Sequence, residues 1–450
     1  MTSVPPGRRA LTVGLVLTVS VTAFEALAVA TILPETVREI GGLAQYGWVF
    51  SGFMLANLAA IPLAGRAADR RGPGPPFVVG AVLFTAGLIV AGLAPSMAVL
   101  VTGRVVQGAG AAALSSVAYV AVARAYPASE QPGMLALLAS AWVVPGLFGP
   151  AVAAGVARAA GWRAVFLGLV PLTVVACGLA LGGLRTLRAS AASDAPPSTG
   201  RVRDAMLVAA GVTMTLLAVR STQPVLTVGL AIVGIVVASF ALLRLLPAGT
   251  LRARAGLPAA IAVLALVNFA FFAVEAFLPL AIADVRHAGN AVIATALTVG
   301  TLSWSAGSWV QARLAGRWTR RALLRTGLTL LVIGLASASA PLVPGLPTWI
   351  TVVAWTFAGL GIGIVYPVTT LAILESAPDG REGEVSATMQ IANALAIALG
   401  TGLGGDLLAR LAADGGTVAM GIASVNAAAV AAGLVALVAM RGVAEAKGTR

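Results

Sequence analysis

The stretch LTVGLVLTVSVTAFEALAVATIL, residues 11–33, decides the fold. An apolar run of this length crosses a bilayer as a helix, which needs about 20 residues. It carries one acid, Glu25. A charge at bilayer depth costs roughly 2.5–3.5 kcal/mol even on the lenient insertion scale, so an intramembrane acid marks a functional position. Helical spacing puts Thr18, Thr22 and Glu25 on one polar stripe, with Leu15, Val19, Leu27 and Ile32 over the other faces. A later run repeats the device, where Glu275 follows Asn268, Phe271 and Phe272. Such acids either lock helices together through hydrogen bonds or bind a proton or cation, and their depth favours the second reading.

The rest of the chain agrees with a membrane protein. Of 450 residues, 59% are hydrophobic and only 10% charged, and the mean hydropathy is +0.97. No soluble domain has this composition. The net charge of +13 does not signal nucleic acid, because the arginines fall into short gaps between apolar runs and form no polar surface. The lone Cys177 lies inside a span, so neither an intrachain disulfide nor a metal cluster is expected. No GxxxxGK[ST] loop is present for a nucleotide, and no cofactor is expected. The single His287 stands at a loop edge with no nucleophile paired to it in a span, so the chain reads as no enzyme, with no catalytic residues. Arg8 and Arg9 precede a first run too long for a signal peptide, which reads as a retained helix.

Fourteen spans are predicted, near residues 11–34, 47–65, 77–95, 98–123, 132–157, 164–184, 204–220, 225–244, 257–283, 291–312, 322–340, 347–374, 384–409 and 416–440. Most of the 29 Lys and Arg residues fall in the gaps that are cytoplasmic if the N-terminus is, so both termini are expected inside. The polar gap Arg185–Arg203, rich in Ser and Pro, reads as a flexible linker. The expected organisation is therefore a six-helix bundle over 1–184, a linker with two accessory, peripheral helices over 185–256, and a second six-helix bundle over 257–450. The bundles look duplicated. Glu25 precedes Pro34 as Glu275 precedes Pro279, and an arginine-rich turn follows the second helix of each, at Gly65–Gly72 and Ala312–Arg317. Internal repeats about a midplane site belong to secondary transporters.

Four motifs sharpen this. The turn Gly65-Arg66-Ala67-Ala68-Asp69-Arg70-Arg71-Gly72 has the form GxLaDRxG in its second half, though Pro73-Gly74-Pro75-Pro76 replaces a basic pair. Arg104-Val105-Val106-Gln107-Gly108-Ala109-Gly110 has the form RxxQGxG, with Arg104, Gly108, Ser115 and Tyr119 on one face, turned toward a polar interior. Gly146-Leu147-Phe148-Gly149-Pro150 leaves a flat strip for close helix approach, and Pro150 favours a kink. Gly161-Trp162-Arg163 with Phe166 and Pro171 follows. With Glu25 nine residues before Pro34, and Gly359, Gly361, Gly363 and Pro378-Asp379 with Gly383 later on, the chain resembles the major facilitator superfamily. Within it, the resemblance is to the fourteen-helix drug/proton antiporter branch, in which the first-helix acid is usually Asp.

The resemblance implies an all-α polytopic protein of two six-helix bundles plus two extra helices, multi-pass in the bacterial cytoplasmic membrane and monomeric. It implies proton-coupled export of amphipathic, cationic small molecules by alternating access, as in multidrug efflux. The alternatives are a dedicated exporter of one endogenous metabolite, lipid, siderophore or antibiotic, and a non-transporting receptor or scaffold. Proton coupling is assigned to Glu25, Arg104 and Glu275, and the conformational switch to Asp69, Arg70, Gly72, Gly146, Gly149 and Pro150. The substrate cavity is assigned to Thr22, Phe24, Tyr119, Trp142, Asn268, Phe272, Trp304, Tyr366, Gln390 and Asn393. Its partners are then a small molecule, protons and the bilayer.

Overall fold

In a bilayer core every backbone N–H and C=O must be satisfied within its own segment, so long apolar runs fold as helices. The computed structural model describes residues 6–127, 130–185, 187, 199–221, 223–343, 345–377 and 382–444, and among these it contains helices and no strand. The first seven helices are α1 (Pro6–Ile40), α2 (Trp48–Arg71), α3 (Gly74–Gly92), α4 (Met97–Ala125), α5 (Gln131–Ser140), α6 (Val143–Ala160) and α7 (Trp162–Leu184). Then come α8 (Thr199–Arg220) and α9 (Pro224–Leu245), followed by α10 (Leu257–Leu280), α11 (Asn290–Leu314), α12 (Arg320–Ser337), α13 (Trp349–Glu375), α14 (Glu382–Ala413) and α15 (Val418–Ala439). Pro378 and Asp379, and most of the expected linker, lie outside the described residues.

Thirteen of these helical segments are long and apolar enough to cross a membrane. Helix α11, 25 residues long and expected as a span, is not among them; its Ser and Thr side chains lower its hydropathy. Thr295, Thr301, Ser303, Ser305 and Ser308 each donate to the carbonyl four residues back, so these hydroxyls cost little to bury.

One expected span is two helices. The run 132–157 is divided into α5 and α6 at Ala141–Trp142. The cause is Pro145, which has no N–H to offer the Ala141 carbonyl four residues earlier. The hydroxyl of Ser20 on α1 donates to that carbonyl instead, at 3.0 Å. The sequence had pointed to Pro150 for the kink; the break lies before Pro145. Ser20→Ala would leave a buried carbonyl unsatisfied, a loss of about 1–3 kcal/mol. A lower unfolding temperature of the purified protein is the expected reading, and an unchanged one would mean that water serves this carbonyl equally well.

The chain divides into two compact units, Met1–Gly41 with Gly52–Met206, and Gly42–Ser51 with Leu207–Arg450. Within each, glycines set the closest approaches. A Cβ built on Gly87 of α3 would lie 2.6 Å from the Gly103 carbonyl oxygen of α4, and one on Gly110 would lie 2.7 Å from the Gly80 oxygen. The second unit repeats this between α12 and α13, where a Cβ on Gly361 would lie 2.7 Å from the Gly327 oxygen. Small residues facing each other let backbones meet without a hydrophobic driving force, which lipid does not supply.

The accessory helices α8 and α9 pack on each other, and α8 reaches into the second unit. Gly211 and Gly234 join α8 to α9, and α9 is otherwise largely exposed. The last turn of α8 is built into the second unit: Leu216 fills the space beside Gly402 of α14, and Arg410 Nε donates to the Val219 carbonyl at 2.7 Å.

Candidate functional site

Glu25 of α1 is 1% exposed and Arg104 of α4 is 3% exposed. Arg104 Nη1 donates to Glu25 Oε1 and to Gln107 Oε1 at 3.1 Å. Gln107 Nε2 donates to the same Glu25 oxygen at 3.3 Å. The guanidinium lies 4.4 Å from the centroid of the Phe53 ring on α2, a cation–π contact in a buried site. Local sequence explains the grouping. Gln107 is three residues after Arg104 and so shares its face. Gly108, next in line, lets α4 press onto α2: a Cβ there would lie 2.1 Å from the Phe53 carbonyl oxygen. One oxygen of the acid therefore receives two donors, while Glu25 Oε2 is buried with no partner. A proton can bind at Oε2 while Oε1 keeps both of its donors. Tyr119, on the same face of α4, is 53% exposed and takes no part in the cluster.

The second unit offers a different environment. Glu275 of α10 is half-buried, and no hydrogen bond or ion pair reaches it among the described residues. Its lack of a cation has a structural cause. Gly363 of α13 meets the Trp304 backbone of α11 as Gly108 meets Phe53, since a Cβ on it would lie 2.2 Å from the Trp304 oxygen. Counting back four residues, the place of Arg104 falls to Gly359, where a Cβ would lie 2.4 Å from the Gly300 carbonyl oxygen. The repeat keeps the packing and omits the arginine.

Aromatic rings gather in this unit. Trp304 meets Phe271 edge-on at 5.3 Å and lies 6.2 Å from Phe272 and 5.7 Å from Tyr366. Phe271 stacks on Trp355 at 4.8 Å. Phe271 and Trp355 are fully buried, whereas Phe272, Trp304 and Tyr366 are half-buried and share the helices that carry Glu275 and its neighbours. Asn268, one turn before Phe272, donates to the Leu264 carbonyl at 2.7 Å and keeps Oδ1 unpartnered. Half-buried rings and an unpaired carboxylate are both groups that attract an organic cation.

The other expected residues fall as follows. Thr22 donates to the Val19 carbonyl of its own helix, and Trp142, at the α5–α6 break, is 47% exposed. Gln390 and Asn393 are half-buried on α14, and neither bonds to Glu275 among the described residues. Gly146, Gly149 and Pro150 are buried, yet the strip is not tight. A Cβ on Gly149 would meet the Phe24 ring at 3.5 Å and Leu27 Cβ at 4.0 Å, ordinary contact that accepts a methyl group. Among the described residues Asp69 caps no helix; it pairs with Arg124, at the end of α4, at 3.0 Å. Arg124 also donates to the Ala68 carbonyl near the end of α2, where cations are favoured. Gly72 has φ +80°, which explains the glycine after Arg70 and Arg71.

Three contributors escaped the sequence reading: Phe53, Arg124 and Trp355. Gln107 was visible inside its motif without a role. The Trp162-Arg163 pair also gains a physical meaning, because Trp162 Nε1 donates to Glu39 Oε2 at 2.9 Å and Arg163 pairs with Glu39 Oε1, clamping the end of α1.

Comparison with known proteins places these features. The family model described as Major Facilitator Superfamily matches residues 15–401. The Methylenomycin A resistance protein of Streptomyces coelicolor is 28% identical over 395 residues, 82% of this chain and 80% of that protein. Multidrug resistance protein 3 of Bacillus subtilis is 27% identical over 159 residues, 35% of this chain and 31% of that one. The chain spans no more than about a third of the length of several such curated relatives. Among solved structures, a peptide transporter POT in complex with sulfate superimposes with a TM-score of 0.71 at 16% identity, over 96% of this chain and 94% of that one. At that identity the likeness speaks for the fold.

Proposed function

Because this chain belongs to the Major Facilitator Superfamily, whose relatives here are transporters and not enzymes, we propose that it exports amphipathic cations in exchange for protons. The observation that carries this reading is the buried Glu25–Arg104–Gln107 cluster with its one unpartnered carboxylate oxygen. Protons enter from outside and bind Glu25. The organic cation binds Glu275 and the half-buried rings of Phe272, Trp304 and Tyr366. The two six-helix bundles then alternate between inward- and outward-facing arrangements, and a ligand shifts that balance only by its differential affinity for the two. The monomer lies in the bacterial cytoplasmic membrane with both termini inside, as the arginine distribution favours. Asp69 with Arg124, and the α6 strip facing α1, bias the conformational step.

The test uses the full chain in proteoliposomes with an imposed proton gradient and a panel of lipophilic cations. Gradient-driven cation movement is expected, and its absence with a correctly inserted chain counts against the reading. Glu275→Gln is expected to narrow or shift the range of cations moved while gradient-driven exchange of the remaining ones persists. If Glu275→Gln instead abolishes exchange for every compound, Glu275 belongs to the proton step.

A second reading is a dedicated exporter of one compound. It is favoured by the relative matched over most of both chains, which is named for resistance to a single antibiotic. The same panel separates the two readings: one transported compound against many.

A further inference from the structure

An acid unassigned by any motif lies elsewhere in the second unit. Asp406, near the end of α14, is fully buried. Its Oδ1 accepts from Trp48 Nε1 at 3.2 Å and faces Arg220 Nε, on the last residue of α8, at 3.9 Å. Its Oδ2 is buried with no partner. Trp48 belongs to Gly42–Ser51, the connector that leaves α1 and enters α2 yet is counted in the second unit. The connector is seated closely. A Cβ on Gly47 would lie 2.3 Å from the Thr401 oxygen, and one on Gly405 would lie 2.6 Å from the Gly47 Cα. Tyr46, fully buried, packs its ring on Phe277 of α10 at 5.4 Å.

We propose that Asp406 is a second proton-binding site and that its proton releases the Gly42–Ser51 connector from α14. Ionised, the carboxylate holds the indole N–H and the guanidinium together. Protonated, it loses its attraction for Arg220 and becomes a weaker acceptor for Trp48. The charged and titratable groups around it are few. Arg220 comes from α8 and Arg410 from α14 itself, Tyr46 from the connector, and Asp284 acts on Tyr46 from the turn after α10. Helix α10, which packs on α14, carries Glu275, and α15 carries no charged or titratable residue. The accessory helix α8 thus supplies the cation that steadies a latch, a role its apolar composition concealed.

The test does not depend on transport. Spin labels are placed at Ala44→Cys and Ala413→Cys, both exposed, in a Cys177→Ser chain reconstituted in nanodiscs. Distances are measured at about pH 8 and about pH 5, a range in which a buried carboxyl titrates. A narrow distribution at the higher pH is expected to lengthen and broaden at the lower. Asp406→Asn is expected to give the long distribution at both pH values, and Trp48→Phe and Arg220→Gln to lengthen it already at the higher. An unchanged parent distribution across the two pH values, or an Asp406→Asn distribution like the parent's at the higher pH, overturns the proposal. Should Asp406→Asn fail to insert, short distances in both Trp48→Phe and Arg220→Gln overturn it equally.

Discussion

Glu25→Gln is expected to reduce gradient-driven export of every substrate to the passive leak while the protein still inserts. Glutamine is the neutral isostere of the protonated acid, so it holds the first unit in its proton-loaded form and removes the site that must empty. It keeps an oxygen for Arg104 and Gln107, which now surround Glu25 Oε1. Arg104→Met acts differently. It strips the cation from a buried carboxylate, and breaking such a pair by removing one partner costs about 3–5 kcal/mol. The double variant Glu25→Gln/Arg104→Met should regain much of that stability, because no unpaired charge remains, yet stay inactive. Thermal unfolding in detergent and export in proteoliposomes read the two effects separately. Gradient-driven export by Glu25→Gln would remove the acid from the coupling step.

The second large effect concerns packing. Gly108→Val is expected to leave little folded protein, since its Cβ would fall 2.1 Å from the Phe53 carbonyl oxygen, an atom of backbone that cannot swing away. Overpacking typically costs about 1–3 kcal/mol, and more where nothing can yield. Gly149→Ala should be nearly silent for folding, because its new methyl would touch the Phe24 ring at ordinary contact distance. The two variants share a chemistry and differ only in space. Size-exclusion profiles of detergent-solubilised protein decide the matter, and equal recovery of both would mean that α2 and α4 separate more easily than their packing implies.

Much of this arrangement was legible because membrane physics writes a coarse code. Apolar length marked the thirteen helices long and apolar enough to cross a membrane, while α11, with its hydroxyls, was counted as a span only from the gaps that flank it. Buried acids stood out against an apolar ground. What stayed hidden was pairing across helices. Phe53 is one more aromatic in a span until Gly108 brings it over Arg104, and Asp406 is one more acid near a span end until Trp48 and Arg220 surround it. The α5–α6 break was misplaced because two prolines, Pro145 and Pro150, offered the same local signal. The choice between them depended on which freed carbonyl a distant hydroxyl, Ser20, could reach.

The glycine that stands where a second arginine would be has a consequence for stoichiometry. Sum the charges held in the spans, with Asp406 ionised and balanced by Arg220: Glu25 and Arg104 cancel, and Glu275 leaves the empty protein with one net negative charge. One proton on Glu25 brings the sum to zero; so does one monovalent organic cation on Glu275. With neither or with both, a net charge remains in a medium that penalises it by several kcal/mol. Under the proposed function, the reorienting forms are therefore those carrying a single passenger of either kind. A cation beside Glu275 would make the empty form neutral, but Gly359, where even a Cβ would fall 2.4 Å from the Gly300 carbonyl oxygen, leaves no room for one at the place of Arg104.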